Sequence, residues 1–154
     1  MRNDGEQGGY MTTEEVKQYL SSYRNHLVSI RQLQEEQEQI RAIATSCGGV
    51  SSGGTPGNIS DRVGKLAGRL ADLDSIILAE MDEAIAQRDK IRRVIGAVED
   101  DRLRNLLSLK YISGYSFEHI AVELNYCYKH TRRLHDKALS TVKDVLECPI
   151  EDVI

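Results

Sequence analysis

A seven-residue hydrophobic repeat dominates the middle of this chain. Val63, Leu70, Ile77, Ala84, Ile91 and Val98 recur at that interval, and Leu66, Leu73 and Val94 fill intermediate positions of the same seam. Glu80 and Gln87 interrupt it. A helix returns to one face every three or four residues, whereas a strand alternates every two. The spacing therefore demands a long helix packed against another helix.

The partner helix is legible upstream. Thr12-Thr13-Glu14-Glu15 reads as a helix start, with Thr12 as the cap and Glu15 reaching back to its backbone N–H. The apolar stripe Val16, Leu20, Tyr23, Leu27, Ile30 follows and continues, shifted, through Leu33, Ile40 and Ile43. The polar run Gln34 to Gln39 reads as a solvated helix surface made of good helix formers. From Ser46 to Asn58 the chain carries five glycines, three serines and a proline, which reads as a flexible connection. A phosphate-loop reading fails there, because the Lys-Ser/Thr ending is missing and no strand precedes it. Ser60 is the expected cap of the second long helix, with Asp61 against its positive end.

These elements predict an all-α fold: a long antiparallel helical (coiled-coil) hairpin over residues 12–99, turning through the glycine-rich loop 46–58. Aromatic residues make up only 5%, with no Trp and one Phe, which argues against a β-sandwich or barrel. Residues 1–11 are expected to be disordered. A single hairpin buries one stripe per helix, so a homodimer is expected to cover the rest.

Cys47, Cys127 and Cys148 form no CxxC pair, which predicts free thiols in a reducing compartment rather than a disulfide framework. The polar amino-terminal stretch has no signal-peptide core, and no apolar run is long enough to span a bilayer. A cytoplasmic protein with no membrane contact is expected. His119, His130 and His135 gather near Cys127, yet a second ligand pair at zinc-finger spacing is absent. The histidines are expected at the surface or near DNA. No metal, cofactor or catalytic residue is expected, and the chain is not read as an enzyme.

The last third, residues 100–147, has a different grammar. Leu103, Leu106 and Leu107 mark a short helix that stops near Gly114. Ser116 caps a second short helix with Ile120, Ala121 and Leu124 inward. A tight turn at Asn125 and Tyr126 leads to a longer helix from about Cys127 to Leu146, with Leu134, Ala138, Val142 and Val145 inward. Short helix, turn and longer helix make a helix-turn-helix. On the last helix Lys129, Arg132, Arg133 and Asp136 share one face, Tyr128 stands at its amino end, and Lys137 follows. Arginine bonds guanine edges in bidentate fashion, while lysine and tyrosine anchor phosphates. The predicted DNA-binding residues are therefore Tyr128, Lys129, Arg132, Arg133, Asp136 and Lys137.

The stretch from Leu106 to Leu146 resembles the C-terminal helix-turn-helix of bacterial sigma factors, the part that reads the −35 promoter element. The matching pieces are Tyr111-Ile112 with Gly114, the run Ser116 to Ala121, and Lys137-Ala138-Leu139. The whole chain is similar to small phage- and prophage-encoded regulators of the ArpU-like, autolysin or late-gene type, and Ser60 to Gly64 looks like their second-helix opening. The resemblance implies DNA contact through Tyr128, Lys129, Arg132 and Arg133, with Ile120, Ala121, Leu124, Leu134 and Leu139 in the core. Where sigma factors open this helix with Ser or Thr and an Arg-Glu-Arg run, this chain has Cys127-Tyr128-Lys129-His130.

The implied function is sequence-specific transcriptional regulation on double-stranded DNA, with bacterial RNA polymerase as a second candidate partner. The alternatives are a DNA-packaging protein of the small-terminase type and a sigma mimic that binds polymerase. Charge distribution fits a DNA reader. The net charge of −4 hides a segment, Asp101 to Lys143, with eight Lys and Arg against four Asp and Glu. The tail, 148–154, is acidic.

Overall fold

The computed structural model describes residues 10–47 and 56–148. The parts of the expected disordered start, glycine-rich loop and acidic tail at 1–9, 48–55 and 149–154 lie outside the described residues. Among the described residues the fold is all-helical, with two long helices that pack together: α1 (Thr13–Cys47) and α2 (Pro56–Gly96). Then come α3 (Asp101–Leu107), a π-helical turn (Ser108–Ile112), α4 (Phe117–Glu123) and α5 (Tyr128–Glu147).

The start of α1 follows the predicted capping box. The Thr12 N–H donates to the Glu15 carboxylate at 2.6 Å, and the Glu15 N–H donates to the Thr12 hydroxyl at 3.2 Å. The Thr12 backbone N–H, and after it the Thr12 hydroxyl, hold the Glu15 carboxyl below its ordinary pKa. The start of α2 differs from expectation. It opens on Pro56, where a missing N–H costs nothing, so Ser60 lies inside the helix and does not cap it. Both long helices therefore take residues from the expected loop, α1 as far as Cys47 and α2 from Pro56.

The chain divides into two compact units. One holds residues 25–86, and the other combines the chain up to Arg24 with everything from Gln87 onward. A break at residue 99 was expected. Residue 99 falls inside the second of these units, where the start of α1 and the end of α2 share a core with α3, α4 and α5.

In the unit of residues 25–86, three cross-helix pairs define an antiparallel register. His26 Nδ1 lies 2.7 Å from Glu80 Oε1, Arg69 donates to Glu36 at 2.7 Å, and Gln37 donates to Asp74. Glu80, which interrupts the heptad seam, thus has a polar partner. Gln37 is buried rather than solvated, so the polar run 34–39 is not wholly a surface. Ile30, Ile40, Leu73, Ile77 and Ala84 form the apolar seam. It thins toward the loop end, where Val63 is 47% exposed and Ile43 also faces outward.

In the other unit Val16, Leu20, Ile91, Val98, Leu103, Leu106, Leu107, Ile120, Ala138, Leu139 and Val142 bury themselves in one cluster. Asp100 caps α3, accepting from the Arg102 N–H at 2.9 Å. Gly114, at φ +77°, ends the segment that follows the π-turn, with the Arg24 guanidinium packed against it. Ser116 caps α4, its hydroxyl accepting from the His119 N–H at 3.2 Å. The α4 C-terminus is a Schellman motif. Asn125 sits at φ +55°, the Tyr126 N–H donates to the Ala121 carbonyl at 2.8 Å, and the Asn125 N–H donates to Val122 at 3.2 Å. Cys127 holds the cap position of α5 in extended conformation, and its thiol makes no capping bond.

Two substitutions test this local chemistry. Cys127→Ser supplies the missing cap acceptor and should raise stability by about 1 kcal/mol. Gly114→Ala forces a side chain into the left-handed region and should lower it by about 1–2 kcal/mol. Urea unfolding midpoints at constant slope measure both.

Candidate nucleic-acid interface

The α5 helix is strongly two-sided. Leu134, Ala138, Leu139 and Val142 are buried, and Thr131 joins them, its hydroxyl donating to the Cys127 carbonyl at 3.2 Å. On the opposite side Tyr128, Lys129, Arg132, Arg133, Asp136 and Lys137 are all exposed, Tyr128 at 47%. The six residues named from the sequence thus stand on the outer surface of one helix, rooted through its other side in the core. Lys137 sits at one border of the group. It lines a shallow cavity of about 570 Å³ together with Glu99, Asp100 and Asp144.

Phe117 organises the middle of this surface. The Arg132 guanidinium lies 4.7 Å from its ring centroid and the Lys110 ammonium 4.3 Å from it. Two cations are thereby held by one aromatic ring. Lys110 also donates to the Tyr115 carbonyl at 3.5 Å. Burial holds its pKa below the ordinary lysine value, Arg132 adds to that effect, and Glu118 opposes it. Sequence reasoning missed Lys110, because it lies 22 positions before Arg132. The pairing arises only when the π-turn and α5 converge on Phe117. A lysine in a mostly apolar run, LLSLKYI, was the available signal.

The histidines separate into three environments. His119 stacks on Tyr115 with centroids 4.2 Å apart, and His130 meets Tyr126 edge-on at 4.9 Å. Both are exposed, as expected. His135 is not: it is 5% exposed, with Nε2 2.8 Å from the Tyr111 hydroxyl and Phe117 packed edge-on at 4.9 Å. Its position one step after Leu134 turns it toward the π-turn instead of outward. Among the described residues no group of His, Cys, Asp and Glu has the makings of a metal site.

Burial lowers the His135 pKa from 6.5 to about 4, a pull that Asp136 opposes and Lys17, Lys110 and Arg132 reinforce. Burial also pushes Tyr111 up to about 12. The tyrosine therefore keeps its proton and donates it to the neutral imidazole, which places the ring proton on Nδ1.

The fold accommodates the neutral ring, so protonation of His135 favours the unfolded chain. Its contribution should be complete above pH 6.5 and decline as pH falls from 6.5 toward 4. The slope should reach at most about 1.4 kcal/mol per pH unit. Unfolding midpoints across this window should show the slope, and His135→Gln should flatten it.

No helix among the described residues is long and apolar enough to cross a membrane. Comparison with known protein families, with curated proteins and with solved structures gave no match to this chain.

Proposed function

We propose that this chain is a sequence-specific DNA-binding transcriptional regulator of the phage or prophage type, reading the major groove with the first turns of α5. One observation carries the reading: Tyr128, Lys129, Arg132 and Arg133 lie together, exposed, at the amino end of a helix whose other side is core. A capped short helix and a four-residue turn precede it, which is how a helix-turn-helix presents its recognition helix. The resemblance to the sigma-factor −35 reader and to ArpU-like regulators supports the same assignment. In this reading Arg132 and Arg133 contact base edges, while Tyr128, Lys129 and Lys110 contact phosphates. The work is binding rather than catalysis, in the cytoplasm of a bacterial host. RNA polymerase is a second partner only if the protein activates transcription.

The chain acts as a homodimer through the unit of residues 25–86. Supporting this, α2 carries a second apolar stripe at helical spacing, Ala67, Ala71, Leu78, Met81 and Ile85, broken once by Asp74, with Leu78 63% and Ile85 49% exposed. Large apolar side chains spaced along one exposed helix face mark an association surface.

Selection of sites from random double-stranded DNA, repeated at several salt concentrations, tests the DNA reading. An enriched motif is expected, with Arg132→Ala and Arg133→Ala each weakening it about tenfold or more. Lys129→Ala should lower the salt slope by about one without changing the motif. Absence of any motif, with unchanged affinity and slope in the arginine variants, would sink the assignment. Light scattering should give a dimer mass, and the double substitution Leu78→Glu with Ile85→Glu should give a monomer that keeps its helicity.

A further inference from the structure

We infer that the cavity bordered by the π-helical turn is a binding site for a phosphate-type oxyanion. The cavity measures about 270 Å³ and lies in the unit that contains α5. Its polar lining is Arg92, Arg104, Ser108 and Ser113; among the described residues no carboxylate lines it. Two guanidinium forks and two hydroxyls are the donor set that a tetrahedral oxyanion needs. Ile95 and Ile112 form an apolar wall, which lowers the local dielectric and strengthens attraction between an arginine and an anion.

The charges nearby favour the same ligand. Arg92 is exposed and makes no ion pair within 4.0 Å among the described residues, whereas Arg104 is steadied by the Asp101 carboxylate and the Glu99 carbonyl. Arg88, Lys90 and Arg93 surround Arg92 along the end of α2, with Asp89 as the one acid in that run. The site makes no use of the residues assigned to α5 and stands independently of them.

The π-turn supplies the reason that the two serines meet. In an α-helix, residues five apart point about 140° away from each other around the axis. Here the Ser113 N–H donates to the Ser108 carbonyl at 3.0 Å, closing a wider turn that brings both residues to one cavity. Such turns are rare and cluster at functional sites. Gly96 completes the lining, and a Cβ built on it would meet nothing within 4 Å. The space in front of it is open.

The oxyanion has two possible sources, a nucleic-acid backbone phosphodiester or a free phosphorylated small molecule. The full chain, titrated with inorganic phosphate at constant ionic strength and followed by amide NMR, should show saturable shifts centred on Gly96, Ser108 and Ser113. Arg92→Gln should weaken phosphate binding about tenfold, and Gly96→Leu should abolish it by filling the space while leaving the rest of the amide spectrum unchanged. The combined Arg132→Ala and Arg133→Ala variant should still bind phosphate, which keeps this test separate from the DNA reading. Shifts that rise linearly without saturation, or that persist undiminished in both Arg92→Gln and Gly96→Leu, would overturn the inference. A second arm identifies the source. If Arg92→Gln lowers the salt slope of DNA binding by about one, the site takes a backbone phosphate. If phosphate saturates the site and that slope is unchanged, the ligand is a free phosphorylated molecule.

Discussion

Leu106 and Leu107 of α3, Leu139 and Val142 of α5, Val16 and Leu20 of α1 and Ile91 of α2 are all removed from water in one cluster. Each buried aliphatic side chain contributes roughly 1.5–3 kcal/mol against the exposed state, and three short helices could not assemble such a cluster by themselves. The ends of the long helices are therefore structural members of the unit that carries the cationic surface. Everything proposed for α5 depends on this, because a helix presents side chains in fixed directions only when its other side is anchored.

Burial also reaches the cationic surface through polar groups. Phe117 touches the buried His135 and also meets the exposed Arg132 and the half-buried Lys110. The Tyr111–His135 hydrogen bond satisfies both polar atoms inside the core and ties the π-turn to α5. Two of the cations on the outer surface thus have their placement set by the interior.

Much of this arrangement was legible in the chain. Heptads announced α2, Thr12 and Glu15 announced the start of α1, and Ser116, Gly114 and Asn125 announced the caps and turns, because those residues act locally through one or two backbone bonds. Places where distant segments meet were not legible. The spacing of Val16 and Leu20 gave no sign that they join Leu139, and Val63 fits the repeat but stays exposed. His135 resembled its exposed neighbours because a single helical step separates the two faces. Of the candidate surface, the contiguous part on α5 could be read, while Lys110 could not, since no local rule connects it to Arg132.

The π-turn has one further consequence. A wider turn holds one residue more than the α-helical turn it replaces, so Ser108–Ile112 absorbs an extra residue without lengthening the path to Gly114. Refolding Ser108–Ile112 as ordinary α-helix at unchanged length would rotate whatever follows by one residue's step, about 100°, relative to what precedes it. Tyr111 would leave His135 and Lys110 would leave Phe117 in the same step. Among related chains of this length, the π-turn and the identities at 110, 111, 117 and 135 would therefore act as a unit.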